Sequence, residues 1–177
     1  MKSVSGSACI VCLCLALAGC NNGPLDDSRV RYLLESGTIA LNGEEVIVSQ
    51  QQLECGVQSE LWEIQTLGPG LAVGRLLPRG RELKFDDDVQ LNDKRFAYTQ
   101  VRGEFSVQLF DVQTIRDENA RTKLVDAKVG VRIDHSCFQN PLMLMGVRHG
   151  KFTQEFLPRF QFVQVNDDWQ YDSVVHQ

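Results

Sequence analysis

Val125, Ala127, Val129, Val131 and Ile133 alternate along one stretch of chain, with Lys128 and Arg132 between them. A period of two places the apolar set on one face and the cations on the other, the pattern of a long strand with one buried side. Such a strand is not stable by itself and needs further strands or a packed layer to cover it. The neighbouring sequence supplies them. Phe105, Val107 and Leu109 alternate, and Phe110 and Val112 then continue out of phase, which predicts a bulge near Leu109 or Phe110. Residues 116–119 read as a turn, and a last hairpin pairs roughly 152–165 with 169–175 across Asn166-Asp167-Asp168. From Arg95 onward the chain is therefore built for an antiparallel sheet.

The first half has a different rhythm. Asp26, Asp27 or Ser28 can cap a short helix through about Ser36, with Val30, Leu33 and Leu34 on one face and Gly37 as its stop. Residues 38–41 and 44–48 flank Asn42-Gly43, a pair that favours a tight hairpin turn. Ser49 with Gln52 three residues on is a capping-box pattern. It predicts a helix over 50–67 with Leu53, Val57, Leu61, Ile64 and Leu67 on one stripe and Cys55 and Trp62 on a second. Gly56 inside it costs about 1 kcal/mol relative to alanine, which implies a close neighbour. Gly68-Pro69-Gly70 then stops the helix, 71–77 read as a strand, 78–80 as a turn, and the acidic 86–88 and 92–93 as exposed loop. Residues 134–150 read as a loop with an apolar patch over 142–145. These elements predict an α+β fold, its N-terminal helices packed on a curved antiparallel sheet, with a β-sandwich as the alternative.

The amino terminus sets the address. Lys2 is followed by an apolar run over 8–18 that closes on Leu17-Ala18-Gly19-Cys20. The run has the length of a secretory signal core and is short of the about 20 apolar residues that span a bilayer. Two small residues before a cysteine at the end of such a run resemble the processing site of bacterial lipoproteins. That resemblance implies removal of residues 1–19 and acylation of Cys20 on its sulfur and amine, which makes the membrane a partner through the lipid anchor. Two or more acyl chains hold firmly, at about 0.8 kcal/mol per buried CH₂. Asn21, where an aspartate favours the inner membrane in enteric-type bacteria, implies the outer membrane, facing the periplasm. Residues 20–27 then form a tether, and 28–177 a single globular domain.

Without the 19 signal residues, 158 of the 177 remain, enough for one core, and loss of Lys2 takes the formal charge from −5 to −6. An acidic body is a poor fit to nucleic acid or to anionic headgroups. Of six cysteines, Cys9, Cys12 and Cys14 leave with the signal and Cys20 takes lipid, so Cys55 and Cys137 remain. In an oxidising compartment they read most simply as one bridge. A reactive thiol within Asp134-His135-Ser136-Cys137 is the competing reading.

No catalytic constellation emerges. Adjacent residues on a strand point apart, so Asp134, His135 and Ser136 are not a triad by adjacency. His135, His149 and His176 lack the spacing of a zinc site. From Asp86, an EF-hand would need Gly at the sixth position and Glu at the twelfth, where Leu91 and Ala97 stand. No cofactor motif is present. The basic run Arg75, Arg79, Arg81 and Lys84 adjoins the acidic 86–88 triplet, so the two are expected to pair. Phe156, Phe160, Phe162, Trp169 and Tyr171 are candidates to line a ligand pocket with His135, or to form plain core. Over 104–175 a long strand, a turn, a second long strand and a hairpin tipped Asn-Asp-Asp-Trp resemble the cone-shaped sheet of the nuclear-transport-factor-2-like superfamily. The functional expectation is a non-catalytic envelope lipoprotein that binds another protein as a scaffold or assembly factor. The alternative is a small-ligand or enzymatic domain built on the aromatic pocket.

Overall fold

The computed structural model describes residues 23–92, 96–146 and 157–175. The signal segment 1–19, Cys20, His149, Phe156 and His176 lie outside the described residues. Leu25 is 4% exposed, so the chain joins the core before the predicted tether ends.

Helix α1 (Asp27–Glu35) begins as expected, with Asp26 Oδ1 accepting from the Arg29 N–H at 2.9 Å and with Val30 and Leu34 buried. The expected hairpin about Asn42-Gly43 is instead one strand, β1 (Ile39–Val48). Both arms pair with β5 (Phe96–Phe105), and Gly43 at φ 99° takes up the register slip between Asn42 and Glu44. Four- and five-residue arms paired only with each other would be marginal; pairing both with a ten-residue strand satisfies far more backbone.

The capping box is formed: Ser49 Oγ accepts from the Gln52 N–H while Gln52 Oε1 accepts from the Ser49 N–H. The helix it opens, α2, runs only Gln50–Gln58, and the rest of the predicted helix is strand β2 (Trp62–Gly68). Glu60 at φ 58° turns the chain, the Leu61 N–H returns to the Gly56 carbonyl at 2.8 Å, and Trp62 folds back to donate to the Leu53 carbonyl at 2.9 Å. Pro69-Gly70, read as a helix stop, makes the two-residue turn into β3 (Leu71–Leu76), with Gly70 at φ 71° as such a turn requires. Helix α3 (Pro78–Glu82) and strand β4 (Val89–Asn92) follow.

Strand β6 (Val107–Asn119) pairs with β7 (Thr122–Val131), and the register slips first between Leu109 and Asp111, where the sequence predicted a bulge. The expected turn at 116–119 is still strand. The apolar patch after 141 contributes a short strand, β8 (Leu142–Leu144), and the last hairpin is β9 (Arg159–Val165) with β10 (Asp168–Val175). Asn166 and Asp167, at φ 51° and 64°, form its tip.

These ten strands make one antiparallel sheet in the order β10-β9-β7-β8-β1-β5-β4-β3-β2, with β6 on the other side of β7. Strand β7 is the branch point: one edge carries β6, the other carries β9 along 122–126 and β8 at 130–131. Helix α1 packs against both β6 and β10, the two ends of the run β6-β7-β9-β10, so that run curls around it. It also caps the outer edge of β6 at one residue, where Glu35 accepts the Leu109 N–H at 2.7 Å and Arg31 donates to the Leu109 carbonyl at 2.6 Å. Fifty-six per cent of the described residues are in strands and 19% in helices. The helix-packed α+β expectation is thereby corrected: the architecture is a sheet folded on itself, closer to the β-sandwich alternative. Its core is continuous, from Val30 and Leu34 through Val125 to Val131 on β7, Phe160, Phe162 and Trp62. The longer predicted helix failed because its apolar stripe belongs to two elements, and the sheet takes the second.

Candidate functional site

The densest cluster of reactive side chains follows β7. The Arg132 N–H bonds the Ser106 carbonyl at 2.9 Å, the His135 N–H bonds the Ile133 carbonyl at 2.9 Å, and Ser136–Phe138 form one 3-10 turn. His135 opens that turn as its cap, with Nδ1 accepting from the Cys137 N–H at 3.2 Å. In that arrangement the neutral ring carries its proton on Nε2. Two anchors hold the loop. Cys137 is bridged to Cys55 of α2, Cα to Cα 5.5 Å, and Ser59 Oγ lies 3.3 Å from the Cys137 sulfur. Phe138 packs its ring 5.4 Å from Phe85 and 6.1 Å from Trp62. The bridge, rather than a free thiol, is thus what the geometry gives.

A cleft opens on each side of this loop. The larger, about 780 Å³, is lined by His135, Asp134, Ser106, Lys84, Arg132 and Glu104 among others. The smaller, about 280 Å³, lies between the loop and the start of α2, and the two share Ser136, Gln139 and Pro141. The cations of the larger cleft are already engaged. Lys84 Nζ donates to the Glu104 carbonyl at 2.7 Å and sits 5.2 Å over the Phe105 ring, and Arg132 donates to Gln108 Oε1 at 3.0 Å. His135 Nδ1 is taken by the cap, and among the described residues no hydrogen bond joins its ring to a serine or cysteine side chain. Among the described residues no group of three His, Cys, Asp or Glu side chains converges as a metal site would.

The aromatic candidates separate from His135. Phe160 and Phe162 are fully buried and Trp169 is nearly so. Phe160 and Phe162 flank Tyr171, whose ring stands 6.4 Å from Phe160 and 6.1 Å from Phe162. None of them lines either cleft. The Tyr171 hydroxyl is buried, and burial first, then the charges of Glu44, Asp172 and Glu104, push its phenol up to about 12. The basic run does not pair with the acidic triplet: Arg79 meets Glu60 at 3.4 Å, Arg75 meets Gln65 at 3.4 Å, and Asp86 is taken by Arg102 at 2.8 Å.

The feature that sequence reasoning missed is strand β2. It ends the sheet order and, among the described residues, pairs on one side only, with β3. Residues 63–67 are exposed on both faces, and the hairpin shows three large apolar side chains to solvent: Ile64 at 46%, Leu67 at 58% and Leu71 at 57%. Ile64 lies on the face of Trp62 and Gly74, so the core face runs out onto an open edge. The alternation Trp62-Glu63-Ile64-Gln65-Thr66 ahead of a Pro-Gly turn is the signal that could have found it. A scan against protein-family models, a search of curated proteins and a search of solved structures each found no match to this chain. Among the described residues no helix is long and apolar enough to cross a membrane, which says nothing of spans made of strands.

Proposed function

We propose that this chain is a cell-envelope lipoprotein, anchored through Cys20, that binds a protein partner beside the bilayer and performs no reaction of its own. The observation that carries this reading is the β2 edge, which among the described residues is paired on one side only, with Ile64, Leu67 and Leu71 exposed beside it. Exposed apolar edges are normally blunted in monomers, and one left open is a template for another chain. The lipoprotein-like Leu17-Ala18-Gly19-Cys20 supplies the anchor, and Asn21 favours the outer membrane, periplasmic side. The Cys55–Cys137 bridge suits an oxidising compartment. Leu25 is already buried, so the five residue steps from Cys20 reach about 18 Å, which keeps the partner close to the membrane. A ligand-binding reading would use the cleft beside His135, whose cations are engaged within the protein, and the edge is therefore preferred.

The test is pull-down from detergent-solubilised membranes with wild type, Cys20→Ser and Ile64→Lys, together with palmitate labelling. Label should enter wild type and not Cys20→Ser. Ile64→Lys should stay folded and lose the partner. A partner retained in full by Ile64→Lys, or no acylation of wild type, overturns the proposal.

A further inference from the structure

The geometry points to a second copy of this chain as the occupant of the β2 edge, paired antiparallel about a two-fold axis at Ile64. The inference rests on the protein-binding reading above and names its partner. Two-fold pairing of identical strands places residues of one face opposite each other, so the axis must pass through a single residue. Only four registers use the middle of β2. An axis at Glu63 sets two carboxylates face to face. An axis at Gln65 sets Glu63 against Leu67 and Ile64 against Thr66. An axis at Thr66 sets Ile64 against Gly68.

The axis at Ile64 matches chemistry on both faces. On the core side Ile64 meets its own copy, beside Gly74 and Trp62, so the buried face continues across the junction. On the other side Glu63 of each copy falls opposite Gln65, the residue that holds Arg75 Nη1 at 3.4 Å. Each copy thus sets its Glu63 beside the other's Gln65 and the Arg75 that Gln65 holds, a guanidinium that also stands opposite Glu63 of its own copy. Glu63 is the sole charge on the strand, and no like charges oppose one another. A seven-residue edge is a small interface. Anchoring both copies in one membrane raises their effective concentration, which is what so small a contact needs.

Single-cysteine cross-linking of the full-length lipidated protein in its membranes tests the register. Ile64→Cys should give an oxidised dimer at twice the monomer mass, because facing Cβ atoms lie within disulfide reach. Thr66→Cys should give none above background, because it faces Trp62. Co-expressed Ile64→Lys and Ile64→Glu chains should cross-pair where each alone does not. Dimer at position 66 as strong as at 64, or none at 64, overturns the inference. If position 64 cross-links only to a different protein, the second copy is wrong and the protein-binding reading stands. If it cross-links to nothing and Ile64→Lys changes no capture, both fall.

Discussion

Trp62 lies across Gly56 so closely that a Cβ built on the glycine would stand 2.1 Å from the indole ring. The contact joins the end of α2 to the start of β2, and the indole N–H is bound to the carbonyl of Leu53, nine residues earlier in the chain. Gly56→Ala should therefore destabilise the protein despite the gain in helix propensity. Overpacking costs about 1–3 kcal/mol, against about 1 kcal/mol recovered from the helix. Urea midpoints should fall, with near-ultraviolet circular dichroism reporting a displaced tryptophan. An unchanged midpoint would mean that the indole is free to move away.

The Cys55–Cys137 bridge closes a loop with a sequence separation of 82. By the chain-entropy argument it stabilises by about 4–5 kcal/mol, an upper figure for bridges of this length. Reduction, or the Cys55→Ala/Cys137→Ala pair of changes, should lower the urea midpoint strongly. It should also loosen the 3-10 turn, which is read as faster amide exchange at Phe138, whose N–H is held by the His135 carbonyl at 2.9 Å.

How much of this was legible in the sequence depends on where the signal was local. The caps at Asp26 and at Ser49 with Gln52, the alternation from Val125 to Val131, and the slip near Leu109 each rest on neighbours in sequence, and each is realised. The failures rest on distant partners. Leu53, Val57, Leu61 and Ile64 fit helical spacing, yet only Leu53 and Leu61 are buried, because Trp62 needs the space over Gly56. Asn42-Gly43 is a good turn and became a bulge because β5 offered both arms a partner. At the candidate site, the pairing of Cys55 with Cys137 followed from counting cysteines. The separation of His135 from the buried aromatics, and the open edge at Ile64, depend on the order of strands, which no local pattern encodes.

Glu45 is 8% exposed, and its Oε2 is buried without a hydrogen-bond partner. Burial first, and then the charge of Asp87, raise its carboxyl above the ordinary 4.5. A raised carboxyl holds its proton better folded than unfolded, so its contribution is complete below about 4.5 and is lost as the pH climbs through the folded value. Glu45→Gln should accordingly be more stable than wild type at neutral pH and show no advantage in acid. Thermal midpoints across pH would show this; an advantage that persists in acid would assign it to packing instead.

Asp126 shows the opposite sign. Burial alone would raise it, but hydrogen bonds from Arg159 and Thr114 and the charges of Arg159 and Arg116 outweigh burial and hold it below the ordinary 3.8. Arg159 Nε donates at 2.7 Å from β9 and Thr114 at 2.9 Å from β6, so the carboxylate ties three strands together across β7. Its stabilisation is present above about 3.8 and fades as the pH falls through the folded value. Asp126→Asn should destabilise at neutral pH, with the gap to wild type closing in acid. A gap independent of pH would mean the amide disturbs the strands sterically.

Glu35 serves the sheet from a helix. Its carboxylate takes the N–H of Leu109, which is 2% exposed, while Arg31 takes the same residue's carbonyl. Together they satisfy the β6 edge at Leu109 as a neighbouring strand would. Glu35→Ala should leave the Leu109 N–H buried and unpaired, at a cost of about 1–3 kcal/mol. Glu35→Gln should recover much of it, since its amide oxygen can accept the same bond. Amide exchange at Leu109 separates this from a general loss of helix: the alanine variant should expose that single proton well before the amides of β7 open. If all of them open together, the Glu35 bond holds the helix to the sheet and does not guard that one amide.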